Sequence, residues 1–160
     1  MDSAIGNSVR IRDVVQDDLP HMYQMQLDPE SNRLAATIPL SAEAFDSRWA
    51  DNLRNPSITA KAILLDSVLA GNVVCFQRDG QTNVGYWIGR EHRGKGIATQ
   101  ALRLLVLEVA IRPLYAYVAT SNSASLRVLQ KCGFVIERVQ LSPGTDRYLE
   151  CEETVLVLLE

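Results

Sequence analysis

The alternation of apolar and polar positions divides the chain into elements before any chemistry is considered. Val9-Arg10-Ile11-Arg12-Asp13-Val14 alternates apolar with charged residues, which predicts an edge-type first strand. Asp17-Asp18 start a helix with Pro20 in its first turn and a partly apolar face at Leu19, Met22, Tyr23 and Met25, ending near Asp28-Pro29. Glu30 to Leu40 shows no clear period and reads as a loop. Ser41 then caps a helix running to about Leu53, closed by Asn55-Pro56. Ile58 to Leu65 and Val68 to Phe76 are apolar, β-branched runs joined at Asp66-Ser67, which predicts a hairpin. Asp79-Gly80-Gln81-Thr82 turns the chain into a further antiparallel strand, where Val84, Tyr86 and Ile88 alternate with their neighbours.

The period then changes. Ile97 to Ile111 is apolar nearly all round, with polar residues confined to a narrow stripe at Thr99, Gln100 and Arg103, as expected of a helix covered on most sides. Pro113 to Ala119 predicts a strand, so strand, helix and strand form a parallel crossover of the right-handed kind. Val135 to Leu141 and Glu152 to Leu158, joined across Ser142-Pro143-Gly144-Thr145, close the sheet. The expected fold class is α+β: a mixed, largely antiparallel sheet with helices on both faces, in a single domain spanning residues 1–160.

Composition narrows the function classes. An apolar fraction of 47% over 160 residues suits one domain with a sizeable core. The net charge of -3, with basic residues scattered rather than gathered into a run, argues against direct nucleic-acid binding. No basic start followed by an apolar stretch is seen at the beginning, and no apolar run is long enough to span a bilayer, so the expectation is a cytoplasmic protein without membrane contact. Cys75, Cys132 and Cys151 are too few and too far apart for a disulfide framework or a metal knuckle and read as reduced core residues. His21 and His92 are the only histidines, so no metal site is expected, and His92 reads as a solvent-exposed turn residue.

The candidate chemistry sits where the period changes. Arg90 to Gly96 connects a strand to a helix N-terminus, and glycines there let backbone N–H groups approach an anion. A nucleotide-hydrolysing loop would need Ser or Thr after Gly94-Lys95 to hold Mg²⁺, but Gly96 stands there. A dinucleotide fingerprint would need a third glycine where Thr99 stands, and an acidic residue after the next strand, which ends Ala119-Thr120-Ser121. Arg93-x-x-Gly96-x-Ala98, in contrast, resembles the acetyl-CoA pyrophosphate loop of the GNAT acetyltransferase superfamily. Asn122-Ser123-Ala124-Ser125-Leu126-Arg127-Val128-Leu129-Gln130-Lys131-Cys132-Gly133-Phe134 is similar to a second element of that superfamily, in the form found in RimJ/RimL-like ribosomal-protein N-terminal acetyltransferases. Read from the residues alone, Asn122 or Ser123 caps a short helix, Leu126, Leu129 and Cys132 face inward, and Gly133 ends it.

The resemblance implies acetyl-CoA as cosubstrate, no metal, and direct transfer of the acetyl group to a primary amine on a protein N-terminus or a small molecule. It assigns Trp87, Ile88 and Gly89 to the pantetheine arm, Arg93, Gly94, Lys95, Gly96, Ile97 and Ala98 to the pyrophosphate, with Thr99 next in the helix start, and Asn122 to the arm again. Helix capping is the alternative role of Asn122. Many members place a tyrosine seven positions after the asparagine as the acid for the departing thiolate; Leu129 stands there, leaving Ser125 as the candidate catalytic residue, or solvent in its place. No general base is identifiable, Glu91 and Asp79 reading as solvated turn residues. In this superfamily the first helices and their loop line the acceptor site, which places substrate choice between Asp28 and Trp49; the carboxylates of Asp28 and Glu30 point to a cationic acceptor. The protein is expected as a monomer or homodimer. A catalytically silent CoA-binding module and a nucleotide-binding loop protein remain as alternatives.

Overall fold

A computed structural model describes residues 8–160. β1 (Val9–Asp13) leads through a single 3-10 turn (Gln16–Asp18) to α1 (Leu19–Met25), α2 (Pro29–Ala35) and α3 (Ala42–Arg54). Then come β2 (Thr59–Leu65), β3 (Val68–Arg78), β4 (Gln81–Ile88), α4 (Ile97–Glu108), β5 (Leu114–Ala119), α5 (Ser123–Lys131), β6 (Val135–Ser142) and β7 (Cys151–Leu158). The strands form one seven-stranded sheet of order β1-β2-β3-β4-β5-β7-β6. Every neighbouring pair is antiparallel except β4 with β5, and β1 lies at one edge as its alternating pattern predicts.

Successive strand residues point to opposite faces, and each face is covered. Ile63 and Val73 join Ile97, Ala101, Leu102 and Leu105 of α4 in one core, extended by Leu114, Leu129 and Leu156. Ala62 and Val74 look the other way, toward Leu19, Met22, Phe45 and Trp49 of α1 and α3. Burying apolar area on both faces is what fixes the strand register, since a one-residue slip would exchange the faces. In β2 and β3 the register shifts: Ile63 faces Gly71 and Leu64 faces Leu69, leaving Ala70 as the extra residue of a bulge.

Three boundaries differ from the sequence reading. The expected loop from Glu30 to Leu40 contains α2, begun by Pro29 and capped by Asp28, whose carboxylate accepts from the Ser31 N–H at 3.0 Å. The inward face of α2 is polar, which is why no apolar period shows: buried Asn32 donates to the carbonyls of Gln26 and Asp28 at 2.8 and 2.9 Å, and Thr37 donates to Asn32 at 2.8 Å. Secondly, α4 ends at Glu108 rather than Ile111, and Thr99 is buried, so the exposed residues are Gln100, Arg103, Glu108 and an apolar Leu107 that is 83% exposed. Thirdly, α1 ends at Met25 and begins only after the 3-10 turn; there buried Asp18 accepts from Val15 N–H and holds Arg12 of β1 at 2.8 and 2.9 Å.

Candidate active site

The sheet is split at its centre. β4 and β5 are paired only at Thr82–Leu114 and Asn83–Tyr115, whereas β4 remains paired with β3 as far as Ile88 opposite Gly71. In an antiparallel ladder, hydrogen-bonded residues alternate with residues facing outward. The Gly89 N–H donates to Ala70 C=O at 2.8 Å, so by alternation the main-chain groups of Ile88 and Tyr86 face the split. Of the three residues expected along a pantetheine arm, Ile88 therefore offers backbone groups, Gly89 has its N–H committed to β3, and Trp87 contributes a side chain whose Nε1 donates to the Met25 carbonyl at 3.0 Å.

At the C-terminal end of β4 the chain makes a short 3-10 turn at Arg90–His92 and enters α4 through Gly94 and Gly96, at φ of 78° and 75°. Both angles lie where only glycine sits without strain. A Cβ built on Gly94 would meet nothing within 4 Å, and one on Gly96 would meet only the Gln100 amide at 4.0 Å, so the approach to this backbone is open. The first helical bond runs from Gln100 N–H to Gly96 C=O at 3.2 Å. Among the described residues, the N–H groups of Gly94, Lys95, Gly96, Ile97, Ala98 and Thr99 donate to no acceptor. Arg93 and Arg90 lean toward the buried carboxylate of Asp28, each at 3.5 Å, which ties the turn to the cap of α2. The Ser31 hydroxyl above all, with help from both arginines, holds that carboxyl below the usual carboxylate range. His92 corrects the sequence reading: its side chain is only 12% exposed, tucked beside Gly89, with Nδ1 buried and unpartnered among the described residues.

Facing this turn across the split is the start of α5. Asn122 caps it, its Oδ1 accepting from Ser125 N–H at 3.3 Å, while its amide nitrogen has no partner among the described residues. The capping role and a ligand-binding role are thus carried by different atoms of one side chain. Ser125 Oγ lies 2.6 Å from the Tyr86 hydroxyl. Burial pushes the Tyr86 phenol up to about 12, only partly offset by its bond to Ser125, so it stays protonated at neutral pH. Leu129 is 1% exposed, in the core. From the sequence alone Tyr86 reads as a strand residue only. The available signal was its alternation with Val84 and Ile88, which puts its side chain on the face covered by α4 and α5. All three cysteines are free; burial raises the Cys75 and Cys132 thiols, which suits packing rather than nucleophilic work. Glu91 and Asp79 are 71% and 88% exposed, as expected of turn carboxylates.

Residues 8–135 match the family described as the acetyltransferase (GNAT) domain. The chain belongs to the GNAT acetyltransferase family. Family membership makes it an acyltransferase. A probable N-acetyltransferase of Bacillus subtilis, YjcK, is 42% identical over 55 residues, a stretch covering 32% of this chain and 30% of that protein. Among solved structures, the Salmonella typhimurium acetyltransferase that modifies the N-terminal serine of ribosomal protein L7/L12 superposes with a TM-score of 0.80 at 18% identity, covering 95% of each chain. A Vibrio cholerae spermidine N-acetyltransferase, solved with CoA and spermine, gives 0.79 at 16% identity, covering 94% of this chain and 95% of that one. At such identities the likeness is one of fold.

In this GNAT chain the mouth of the split is bridged by the segment from α1 to α3. On the β4 side Met25 receives the Trp87 indole. On the β5 and β7 side the link following α2 is strapped to the β6–β7 loop: Ile38 N–H donates to Arg147 C=O at 2.8 Å and Leu149 N–H to Ala36 C=O at 2.9 Å, around a Thr37–Tyr148 bridge. The carboxylates expected to attract a cationic acceptor are already engaged, Asp28 as described and Glu30 with Arg33 at 2.6 Å. Among the described residues, no helix is long and apolar enough to cross a membrane and no cluster of metal-ligating side chains occurs.

Proposed function

We propose that the protein is an acetyl-CoA-dependent N-acetyltransferase of RimJ/RimL-like type, acting in the cytoplasm by direct transfer of an acetyl group to a primary amine. The observation that carries this reading is the row of unpaired N–H groups from Gly94 to Thr99 at the N-terminus of α4, beside two strands that part. Unpaired donors at the positive end of a helix dipole suit a pyrophosphate, and the empty space where Cβ atoms would stand leaves room for one. Such a site accepts anions generally. The parted strands, with Ile88 and Tyr86 backbone groups free between them, add a groove for an extended amide-bearing arm, which a bare phosphate site would not need.

Acetyl-CoA, when bound, supplies an activated thioester whose carbonyl an amine attacks and whose sulfur departs as a thiolate. The chain's own part is to place and to protonate. Asn122 holds the start of α5 with Oδ1 and keeps its amide donor for the arm. Ser125 Oγ is the hydroxyl poised to donate to the thiolate, and Tyr86, protonated and 2.6 Å behind it, is positioned to restore that proton. Calorimetry with acetyl-CoA and with Mg·ATP tests the site. Binding of acetyl-CoA but not Mg·ATP is the expected result, and the reverse would overturn the reading. Thiol release over a panel of N-terminal peptides and small amines then tests the chemistry; tight binding without turnover would identify a silent CoA-binding module instead.

A further inference from the structure

The β6–β7 loop carries a cation with buried donors that nothing among the described residues accepts from. Arg147 has its Nε and Nη1 atoms buried and, among the described residues, neither has a hydrogen-bond partner. Its surroundings offer the ring of Tyr148, 5.9 Å from the guanidinium, and a second arginine, Arg48 of α3; the adjacent Asp146 attracts the charge from an exposed position but makes no ion pair with it. Burial, reinforced by Arg48, pushes the Arg147 pKa down, yet a guanidinium does not shed its proton in a protein, so the charge stays. Arg12, Arg33 and Arg93 are each matched by a carboxylate, of Asp18, Glu30 and Asp28, while Arg112, whose Nε is also buried without a partner among the described residues, spends its Nη atoms on the carbonyls of Val106, Val109 and Ile111. A half-buried guanidinium with two buried N–H donors unmet and only an exposed carboxylate near it carries a cost that a ligand from outside the chain would relieve.

The place of this charge gives the partner. Ala119 at the end of β5 pairs with Glu153, and Thr120 N–H donates to Glu152 C=O, so the loop before β7 lies at the end of the sheet where β4 and β5 have parted. Its strap to residues 36–38 makes it one wall of the mouth already described. We propose that Arg147 recognises an anionic group, a carboxylate, carried by the acceptor amine itself. The planar guanidinium matches carboxylate and phosphate alike, and of the two the carboxylate is the commoner companion of a primary amine. The acceptor class is then a free amino acid, or a peptide N-terminus with an acidic residue close behind it, and not a polyamine.

This inference rests on the acetyl-transfer reading, and its test separates the two. Acetyl-CoA calorimetry on the full chain reports the first. For the second, thiol release is compared within matched pairs: α-amino acids against their carboxamides, and dipeptides with Glu against Gln in second place, with spermidine as a cationic control. Calorimetry of each pair with the CoA-loaded chain, or with the chain alone where CoA does not bind, reads the same preference without turnover. The carboxylate member is expected to win by at least tenfold. The amino-acid and dipeptide arms show which source of carboxylate is used. Arg147→Gln should abolish the preference and Arg147→Lys retain part of it, with a thermal melt checking that each variant folds. Equal values within the pairs, preference for spermidine, or an undiminished preference in folded Arg147→Gln would overturn the proposal. Should Arg147→Gln not fold, the wild-type pairs alone decide.

Discussion

The hydroxyl pair Tyr86–Ser125 joins residues 39 positions apart, and each is informative only in the presence of the other. Ser125 is legible in the sequence because its spacing from Asn122 forms a motif. Tyr86 is not, because nothing local tells which helix will cover its face of the strand. Ser125→Ala should lower kcat by about 10²-fold with acetyl-CoA affinity little changed, because its hydrogen bond strengthens only as charge develops on sulfur. If Tyr86 acts through Ser125, Tyr86→Phe should lower kcat too, and the double variant should be no slower than Ser125→Ala alone. Additive losses in steady-state kinetics would show two independent roles. The helix cap belongs to Asn122, so Ser125→Ala costs no cap; it removes the 2.6 Å bond to the Tyr86 hydroxyl, which keeps its 3.3 Å bond to the Ser125 carbonyl, so a loss of stability of about 1 kcal/mol is expected in a thermal melt. The glycine turn has its own test. Gly96→Val forces a β-branched residue to a φ of 75° and fills the open approach, so acetyl-CoA affinity should fall at least tenfold, about 1.4 kcal/mol, in a calorimetric titration of the folded variant.

Elements were readable where their inner faces are apolar or their ends carry a cap. Ser41 capping α3, the two hairpin turns and the long helix α4 follow from pattern and turn chemistry. What escaped is α2, since Ser31 and Asn32 face inward, Ser31 donating to the Asp28 carboxylate and Asn32 to neighbouring carbonyls, a polar core with no periodic signature. The bulge in β3 escaped as well, because it is a property of pairing between strands. Gly71 makes that bulge testable. A Cβ there would lie 2.1 Å from the Trp87 carbonyl oxygen, on the backbone of β4, where no side-chain adjustment relieves it. Gly71→Ala should therefore cost about 3 kcal/mol or more in chemical denaturation, far beyond an ordinary surface substitution. A loss under about 0.5 kcal/mol would show that the strands are not packed in this register.

At the scale of the molecule, two depressed carboxylates tie separate pieces together. Asp18, held down chiefly by Arg12, links β1 to the start of α1; Asp28, held down chiefly by Ser31, links α2 to the phosphate turn. A folded-state pKa below the unfolded value means that the contribution is complete above the unfolded pKa, about 3.9, and is lost as pH falls through the folded one. The urea midpoint should accordingly stay level from neutral pH to about 5 and drop below about 4. Asp18→Asn should be less stable at pH 7 and show a shallower fall. An unchanged slope would place the acid sensitivity elsewhere.

The short parallel seam has a mechanical consequence. Four strands stand on one side of it and three on the other, riveted by two residue pairs and by the apolar residues that Val84, Leu114 and Leu156 share with α4. The sheet is thus two blades on a hinge whose pin lies at Thr82 and Asn83 and whose free ends are β4 and β5. Anything lodged lengthwise between the blades acts as a splint, so stiffness should spread to both of them when the slot is filled, with amide exchange slowing in β5 and β7 as well as in β4 even though the phosphate turn follows β4 alone.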